Sequence, residues 1–172
     1  AANAVGDRAW NDADANGIQD VGETGATGVT VRIYSAASNL LATTITDSAG
    51  AYRFTNLPSG AYFLELAAAG GHATAQDQGG DDALDSDVDA AGRTAVFALS
   101  GGANDTGRDA GFYRLAALGD FTWADNDGDG QQEGGEPGLS NVVVTLYNAA
   151  SNVVGVTTSS AVGAYAFNDL VP

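Results

Sequence analysis

The sequence repeats itself with an offset of 113 residues. When residues 5–59 are laid over residues 118–172, the two segments align without a gap, and 23 of the 55 aligned positions are identical. Trp10 falls on Trp123, and Tyr52 falls on Tyr165. Neither chance nor shared composition holds one register over this length, so the chain is built from tandem modules.

The repeat also sets the expected domain boundaries. We predict one complete module over residues 1–117 and the first half of a homologous module over residues 118–172. The second copy lacks counterparts of the predicted strands 61–66, 94–99 and 110–115. We expect a longer repeat array to supply the missing strands, since the break falls inside a repeat. The alternative is a neighbouring subunit that donates strands head to tail.

Hydrophobic residues recur with a period of two, which is typical of half-buried strands. Val29, Val31 and Ile33 alternate with more polar neighbours, and turn residues separate this segment from the others. About seven short strands are predicted in the first module: 5–10, 29–34, 40–46, 51–54, 61–66, 94–99 and 110–115. In the half copy the predicted strands are 142–147, 153–158 and 164–167, besides the first strand. This spacing indicates an all-β chain of tandem Ig-like β-sandwich modules.

Composition excludes several classes of function. Acidic residues number 22 and basic residues 6, for a net charge of −16, which argues against nucleic-acid and anionic membrane partners. No apolar run approaches the roughly 18 residues of a membrane-spanning helix, so we expect no membrane insertion. Cysteine and lysine are both absent, which excludes disulfides, thiolate metal sites and lysine-based crosslinks.

The acidic residues concentrate in loops. Residues 12–23 match the calcium-loop pattern, with oxygen ligands at positions 1, 3 and 5, glycine at position 6 and glutamate at position 12. Residues 125–136 repeat the pattern, and two matches at equivalent repeat positions strengthen each other. Flanking helices are missing, so each loop must be mounted between strands. The predicted ligands are Asp12, Asp14, Asn16, Ile18 (by its carbonyl), Asp20 and Glu23, then Asp125, Asp127, Asp129, Gln131, Glu133 and Glu136.

The ligand chemistry favours Ca²⁺. The loops offer only oxygen, and a set of six or seven flexible oxygens suits Ca²⁺ better than Mg²⁺, which prefers a strict octahedron with retained water. A third acidic segment, residues 77–89, fits no single-loop template. We predict a further site there, formed by Asp81, Asp82, Asp85, Asp87 and Asp89, with Asp109 closing it from across the fold. The alternative for each segment is a solvated acidic loop.

Three other features have competing interpretations. Trp10 and Trp123 resemble sugar-stacking platforms, but their identical placement beside the acidic loops favours packing. His72, the only histidine, is expected in an exposed loop. Adjacent carboxylates could serve a glycosidase, yet no cleft-forming element is evident and metal spacing fits them better.

Several motifs together carry a family resemblance: Gly6-Asp7-x-x-Trp10, the 12–23 loop, Thr46-Asp47-x-x-Gly50-x-Tyr52-x-Phe54, residues 79–87, and Asp109-Ala110-Gly111-Phe112-Tyr113. They resemble the calcium-binding B-type repeat of serine-aspartate repeat (Sdr) adhesins, within the collagen-adhesin B-like group. The resemblance implies a prealbumin-like β-sandwich, several Ca²⁺ ions per module, and further ligands from Asp81–Asp87. It also implies export to the bacterial cell surface.

The functional prediction is therefore a non-catalytic, calcium-stabilised structural module of an extracellular bacterial fibre, stalk or surface protein. Its expected partners are neighbouring repeat modules or subunits of the same protein. The alternative is an adhesin binding module that recognises a host protein or glycan. Such a module would need exposed aromatic or apolar patches at its loop tips, and few such residues lie outside the predicted strands.

Overall fold

The computed structural model describes residues 1–172, and every regular element in it is a β-strand. It contains no helix with the length and hydrophobicity that crossing a membrane requires. The chain divides into two compact units, Ala1–Arg114 and Leu115–Leu170, which are described separately below. The predicted all-β class is confirmed.

The first unit contains ten strands: β1 (Asn3–Val5), β2 (Ala9–Asn11), β3 (Thr30–Ser35), β4 (Leu40–Ile45), β5 (Phe54–Leu57), β6 (Gly60–Ala67), β7 (His72–Ala73), β8 (Phe97–Leu99), β9 (Asn104–Asp105) and β10 (Ala110–Tyr113). Strands β4-β3-β6-β8 form a four-stranded antiparallel sheet. The opposite layer contains two three-stranded sheets, β5-β1-β9 and β2-β10-β7. In that layer β1 pairs in parallel with β9, and β2 pairs in parallel with β10.

The core lies between these layers. Alternate residues of β3 and β6 supply one side of it, and Val31, Ile33 and Leu64 are each 0 % exposed. Val5 and Phe112 supply the other side. The two-residue period that predicted the strands therefore also identifies the buried face.

The predicted strand 5–10 is wrong as a single element. The chain leaves β1 after Val5 and enters β2 at Ala9, so each strand joins a different sheet. Gly6 lies in the gap, where a Cβ atom would stand 2.3 Å from the carbonyl oxygen of Tyr52. Only glycine permits this close approach of two backbones.

Several other predictions also need correction. The predicted strand 51–54 begins only at Phe54 and runs to Leu57, since Ala51 makes a single bridge to Arg8. In the predicted strand 94–99 only Phe97–Leu99 is a strand, because the Thr94 hydroxyl accepts the Leu64 N–H in place of a backbone carbonyl. The two-residue strands β7 and β9 are too short to show a period, so no sequence pattern predicted them. His72 accordingly lies on β7 rather than in a loop, although it is exposed as expected.

The second unit contains four strands: β11 (Ala116–Phe121), β12 (Val143–Tyr147), β13 (Val153–Thr158) and β14 (Ala164–Leu170). They form two antiparallel pairs, β11-β14 and β12-β13. Strand β11 is the counterpart of β1, and Phe167 on β14 is buried like its counterpart Phe54 on β5. The repeat in the sequence is therefore also a repeat in strand order.

Candidate metal centre

The first acidic loop is mounted between two strands. It follows β2, which ends at Asn11, and both of its ends are tied to the sheet. The Asp12 N–H donates to the carbonyl of Phe112 on β10, and the Asn11 N–H donates to the carbonyl of Thr24. Strand β2 at one end and the bridge between Trp10 and Gly25 at the other thus hold the loop where flanking helices hold an EF-hand loop.

Within this loop three carboxylates converge. Asp12, Asp14 and Glu23 each place one oxygen within 4.8 Å of the others. Backbone amides hold them there: the Gly17 N–H donates to Asp12 Oδ2 over 2.9 Å, and the Ala13 N–H donates to Glu23 Oε1 over 2.7 Å. The site is therefore arranged by the loop backbone and not by side-chain packing alone.

Two more predicted ligands lie beside these carboxylates. The Asn16 amide donates to Asp14 Oδ2 over 3.0 Å and to Asp20 Oδ2 over 2.9 Å. These two bonds hold the side chains of Asn16 and Asp20 beside the three converging carboxylates. Gly17 makes the turn possible, with a φ of +84° and a hypothetical Cβ only 2.4 Å from the Ala75 carbonyl oxygen. Ile18, predicted to act through its carbonyl, is half-buried and forms a backbone bridge to Asp85.

The second loop repeats this arrangement. The Gly130 N–H donates to Asp125 Oδ2 over 2.9 Å, and the Asn126 N–H donates to Glu136 Oε1 over 2.7 Å, which match the bonds to Asp12 and Glu23. Oxygens of Asp125, Asp127 and Glu136 lie within 4.8 Å of one another. A second overlapping group contains Asp127, Asp129 and Glu133, and Gln131 donates to Asp129. Two loops with different sequences therefore fold to the same hydrogen-bonding pattern.

The two loops differ in how they pack against the rest of the chain. The first is packed against residues 74–86: the Thr74 hydroxyl donates to Asp12 Oδ2 over 2.6 Å, and the Ser86 N–H donates to the Gly17 carbonyl. Asp12 is consequently buried, whereas its counterpart Asp125 is exposed. No local sequence pattern predicts this contact, because it joins segments about 60 residues apart.

The third acidic segment, residues 77–89, packs against the first loop. It also contains a buried carboxylate, that of Asp85, whose Oδ1 atom has no hydrogen-bond partner. Burial raises the pKa of Asp85, and the nearby charges of Asp82, Asp77 and Asp81 raise it further. Asp89 lies apart in a turn, where it accepts the N–H groups of Ala91 and Arg93.

Asp87 and Asp109 form a separate buried cluster with Asp7, a residue that the sequence did not single out. Asp87 accepts the Asp109 N–H over 2.7 Å and pairs with Arg108 at 2.9 Å. Burial raises the pKa of Asp87 to about 6. Burial likewise raises the pKa of both Asp7 and Asp109, and for Asp109 the charge of Asp7 adds to this effect. The proposed role of Asp109 as a ligand stays a prediction.

This cluster gives the metal-free chain a characteristic pH dependence. Because the folded-state pKa values lie above the ordinary 3.8 of aspartate, the protonated cluster stabilises the fold at low pH. In EGTA we expect the free energy of unfolding to fall as the pH rises from about 4, through about 6 for Asp87 and up to about 8 for Asp109, measured by urea unfolding.

Asp109→Asn should flatten this slope, since the amide keeps the shape of the carboxyl and loses its charge. The matched control Asp47→Asn, in an exposed turn, should leave the slope unchanged. An unaltered slope in Asp109→Asn would show that the cluster does not titrate as described. If Asp87 and Asp109 bind a cation, Ca²⁺ should flatten the wild-type slope as well.

The donor sets fit a hard cation. Both loops present only oxygens, and bringing carboxylates together without a cation costs about 1 kcal/mol per pair at ~4 Å even in water. The residues that would hold Ca²⁺ are those of the two loops, and the unpartnered Oδ1 atom of Asp85 is a further donor. When bound, the ion would supply charge compensation and rigidity.

The chain is all-β, its sequence repeats, and each repeat carries an acidic loop after its first strands. These features place it among the repeated β-sandwich domains. The family model for the SdrD B-like domain matches residues 3–112 and 116–172. The chain therefore belongs to the SdrD B-like domain family, which confirms the resemblance inferred from its motifs. Domains of this family are structural and not catalytic, so the glycosidase alternative is excluded.

Individual relatives agree. Serine-aspartate repeat-containing protein D of Staphylococcus aureus (strain MW2) is 36% identical over 168 residues, or 96% of this chain. Serine-aspartate repeat-containing protein F of Staphylococcus epidermidis is 39% identical over the same length. The chain spans only 12% and 9% of these two proteins. Among solved structures, the Bacillus anthracis TIE protein has a TM-score of 0.50 and 16% identity, covering 97% of this chain and 26% of that protein, a likeness of fold alone.

Proposed function

We propose that this chain is a calcium-stabilised structural module of an extracellular bacterial surface protein. The observation that carries the proposal is the repeated site: two loops at equivalent positions each bring three carboxylates within 4.8 Å through the same backbone hydrogen bonds. In a solvated acidic loop, repulsion between the carboxylates favours conformations that keep them apart. In a loop that binds Ca²⁺, the ion compensates this repulsion and favours carboxylates held close together.

The proposal includes several ions. One ion would lie in each loop, and at least one more near Asp81, Asp82 and Asp85, where Asp85 Oδ1 is buried without a partner. The first loop should bind more tightly than the second, because residues 74–86 already hold its ligands in place. Rigidity of the site, together with ligand charge, tunes the affinity of calcium loops.

The surface location and the partners are also part of the proposal. Both relatives are named for serine-aspartate repeats, and this chain covers a small part of each. We propose that neighbouring repeat modules of the same protein are its partners and that Ca²⁺ stiffens each module. The adhesin alternative stays a prediction, and micromolar binding to a matrix protein or glycan would favour it.

Hydrogen exchange with mass spectrometry tests the calcium proposal loop by loop. With Ca²⁺, amides that brace the carboxylates in residues 12–23 and 125–136 should exchange at least about tenfold more slowly than in EGTA, because the ion removes the repulsion that opens the loops. Strand β3 serves as the control for general stabilisation. Equal exchange rates in Ca²⁺ and EGTA in both loops would overturn the proposal.

A further inference from the structure

Asn16, in the first acidic loop, is the only asparagine of the chain that is followed by glycine. An asparagine is lost by deamidation when the backbone nitrogen of the next residue attacks its side-chain amide carbon. Glycine has no Cβ atom to hinder that attack, whereas every other asparagine here precedes a residue that has one. Asn16 is only half-buried, so water can reach its side chain.

The folded loop surrounds the Asn16 side chain with the groups that this reaction needs. The Ile18 N–H donates to Asn16 Oδ1 over 2.6 Å, and this oxygen becomes negatively charged when the amide carbon is attacked. The attacking nitrogen is that of Gly17, whose N–H donates to the buried carboxylate of Asp12 over 2.9 Å. The loop therefore supplies both a donor for the developing oxyanion and an acceptor for the proton that Gly17 must lose.

The second loop carries the acid form of this residue at the equivalent position. Asp129 is the counterpart of Asn16 in the sequence repeat. The Gln131 N–H donates to Asp129 Oδ1 over 2.7 Å, just as the Ile18 N–H donates to Asn16 Oδ1. The same loop fold therefore accommodates aspartate at this position, and the first loop can tolerate the conversion of its asparagine.

We propose that Asn16 is a site of spontaneous deamidation, which adds a carboxylate to the first loop. The Gly17 nitrogen bonds to Asn16 Cγ, the Cγ–Nδ2 bond breaks, and the amide nitrogen leaves as ammonia with the proton that Gly17 lost. Water then opens the resulting cyclic imide at one of its two carbonyl carbons. Opening at Cγ gives aspartate, and opening at the backbone carbonyl gives isoaspartate; either product adds one negative charge.

The conversion changes the charge balance of the loop. The Asn16 amide now donates to the carboxylates of Asp14 and Asp20. Deamidation replaces this donor with a third negative group, which the other two repel. The inference does not rest on the calcium proposal, because the reaction needs only water and atoms of the loop itself.

The test incubates the 172-residue chain in EGTA at mildly alkaline pH and follows deamidation by mass spectrometry. Cleavage after Arg8 and Arg32 releases residues 9–32, which contain Asn16 and one other asparagine, Asn11. Fragmentation of this peptide shows which of the two has been converted. We expect Asn16 to convert at least about tenfold faster than Asn11 or any other asparagine, because only its neighbour lacks a Cβ atom.

Two controls separate the site from its surroundings. Asn16→Gln keeps the amide group, but its longer side chain must close a larger ring, so we expect at least about tenfold slower release of ammonia. A synthetic peptide of residues 9–32 measures the rate without the fold, and we expect Asn16 in the folded chain to convert at least as fast.

Three results would overturn the proposal. The first is conversion of Asn16 no faster than that of the other asparagines. The second is slower conversion in the folded chain than in the peptide, which would show that the loop protects Asn16. The third is equal release of ammonia by the wild type and Asn16→Gln.

Discussion

Removing Ca²⁺ with EGTA should lower the thermal unfolding midpoint of the first unit by roughly 20 °C or more. An ion that binds only the folded state contributes about 2.7 kcal/mol at a concentration one hundred times its dissociation constant. Two such ions in the first unit, in the 12–23 loop and near Asp85, would contribute roughly 5 kcal/mol. For a domain of this size, each kcal/mol corresponds to about 4–8 °C. Calorimetry in Ca²⁺ and in EGTA measures the difference.

Magnesium is the appropriate control for this experiment. At equal concentration it should recover only a small part of the lost stability, because it demands a strict octahedron and gives up its water reluctantly. Full recovery with Mg²⁺ would mean that charge screening, and not a fitted site, stabilises the loops. An unchanged midpoint in EGTA would contradict the calcium account of the first unit.

Ile33→Ala should destabilise the first unit by about 3 kcal/mol. Ile33 is 0 % exposed in the centre of β3, so its truncation loses the burial of the side chain and leaves a cavity. The repeat supplies a matched comparison in Leu146→Ala, at the same position of β12. Because Leu146 is only half-buried, we expect that change to cost about 1 kcal/mol.

Native-state hydrogen exchange of β3 and β12 amides measures the two losses separately, one in each unit. Equal losses would show that the face around Leu146 is as well packed as the face around Ile33.

The sequence predicted well those features that depend on local pattern. Strands β3 and β6 follow from a two-residue period, and their bounds, like those of β4, lie within a residue of those expected. The convergence of Asp12, Asp14 and Glu23 follows from spacing alone, because alternate residues of a tight turn converge on one point, and their role as ligands stays a prediction. Gly17 was expected for the same local reason, and its positive φ is found. Each of these features is contained in about a dozen consecutive residues.

Features formed by distant segments could not be predicted. The packing of residues 74–86 on the first loop depends on the hydrogen bond between Thr74 and Asp12, and no local pattern indicates it. Asp7 was read only as part of a motif, yet the topology places it against Asp109. The division of the first predicted strand likewise reflects two parallel partners, β9 and β10, that lie about 100 residues away.

Isothermal titration of Ca²⁺ into the wild type, Glu23→Gln, Glu136→Gln and the double variant shows whether the two acidic loops are calcium sites. Glutamine keeps the size of Glu23 and Glu136 and one of the two backbone hydrogen bonds that each carboxylate accepts, but it loses the charged, two-oxygen ligand that closes each loop. We expect each single variant to lose one ion, Glu23→Gln to remove the tighter loop site, and the double variant to keep only binding near Asp85. A double variant with the wild-type stoichiometry, or a wild type that binds no Ca²⁺ at millimolar concentration, would show that the loops are not calcium sites.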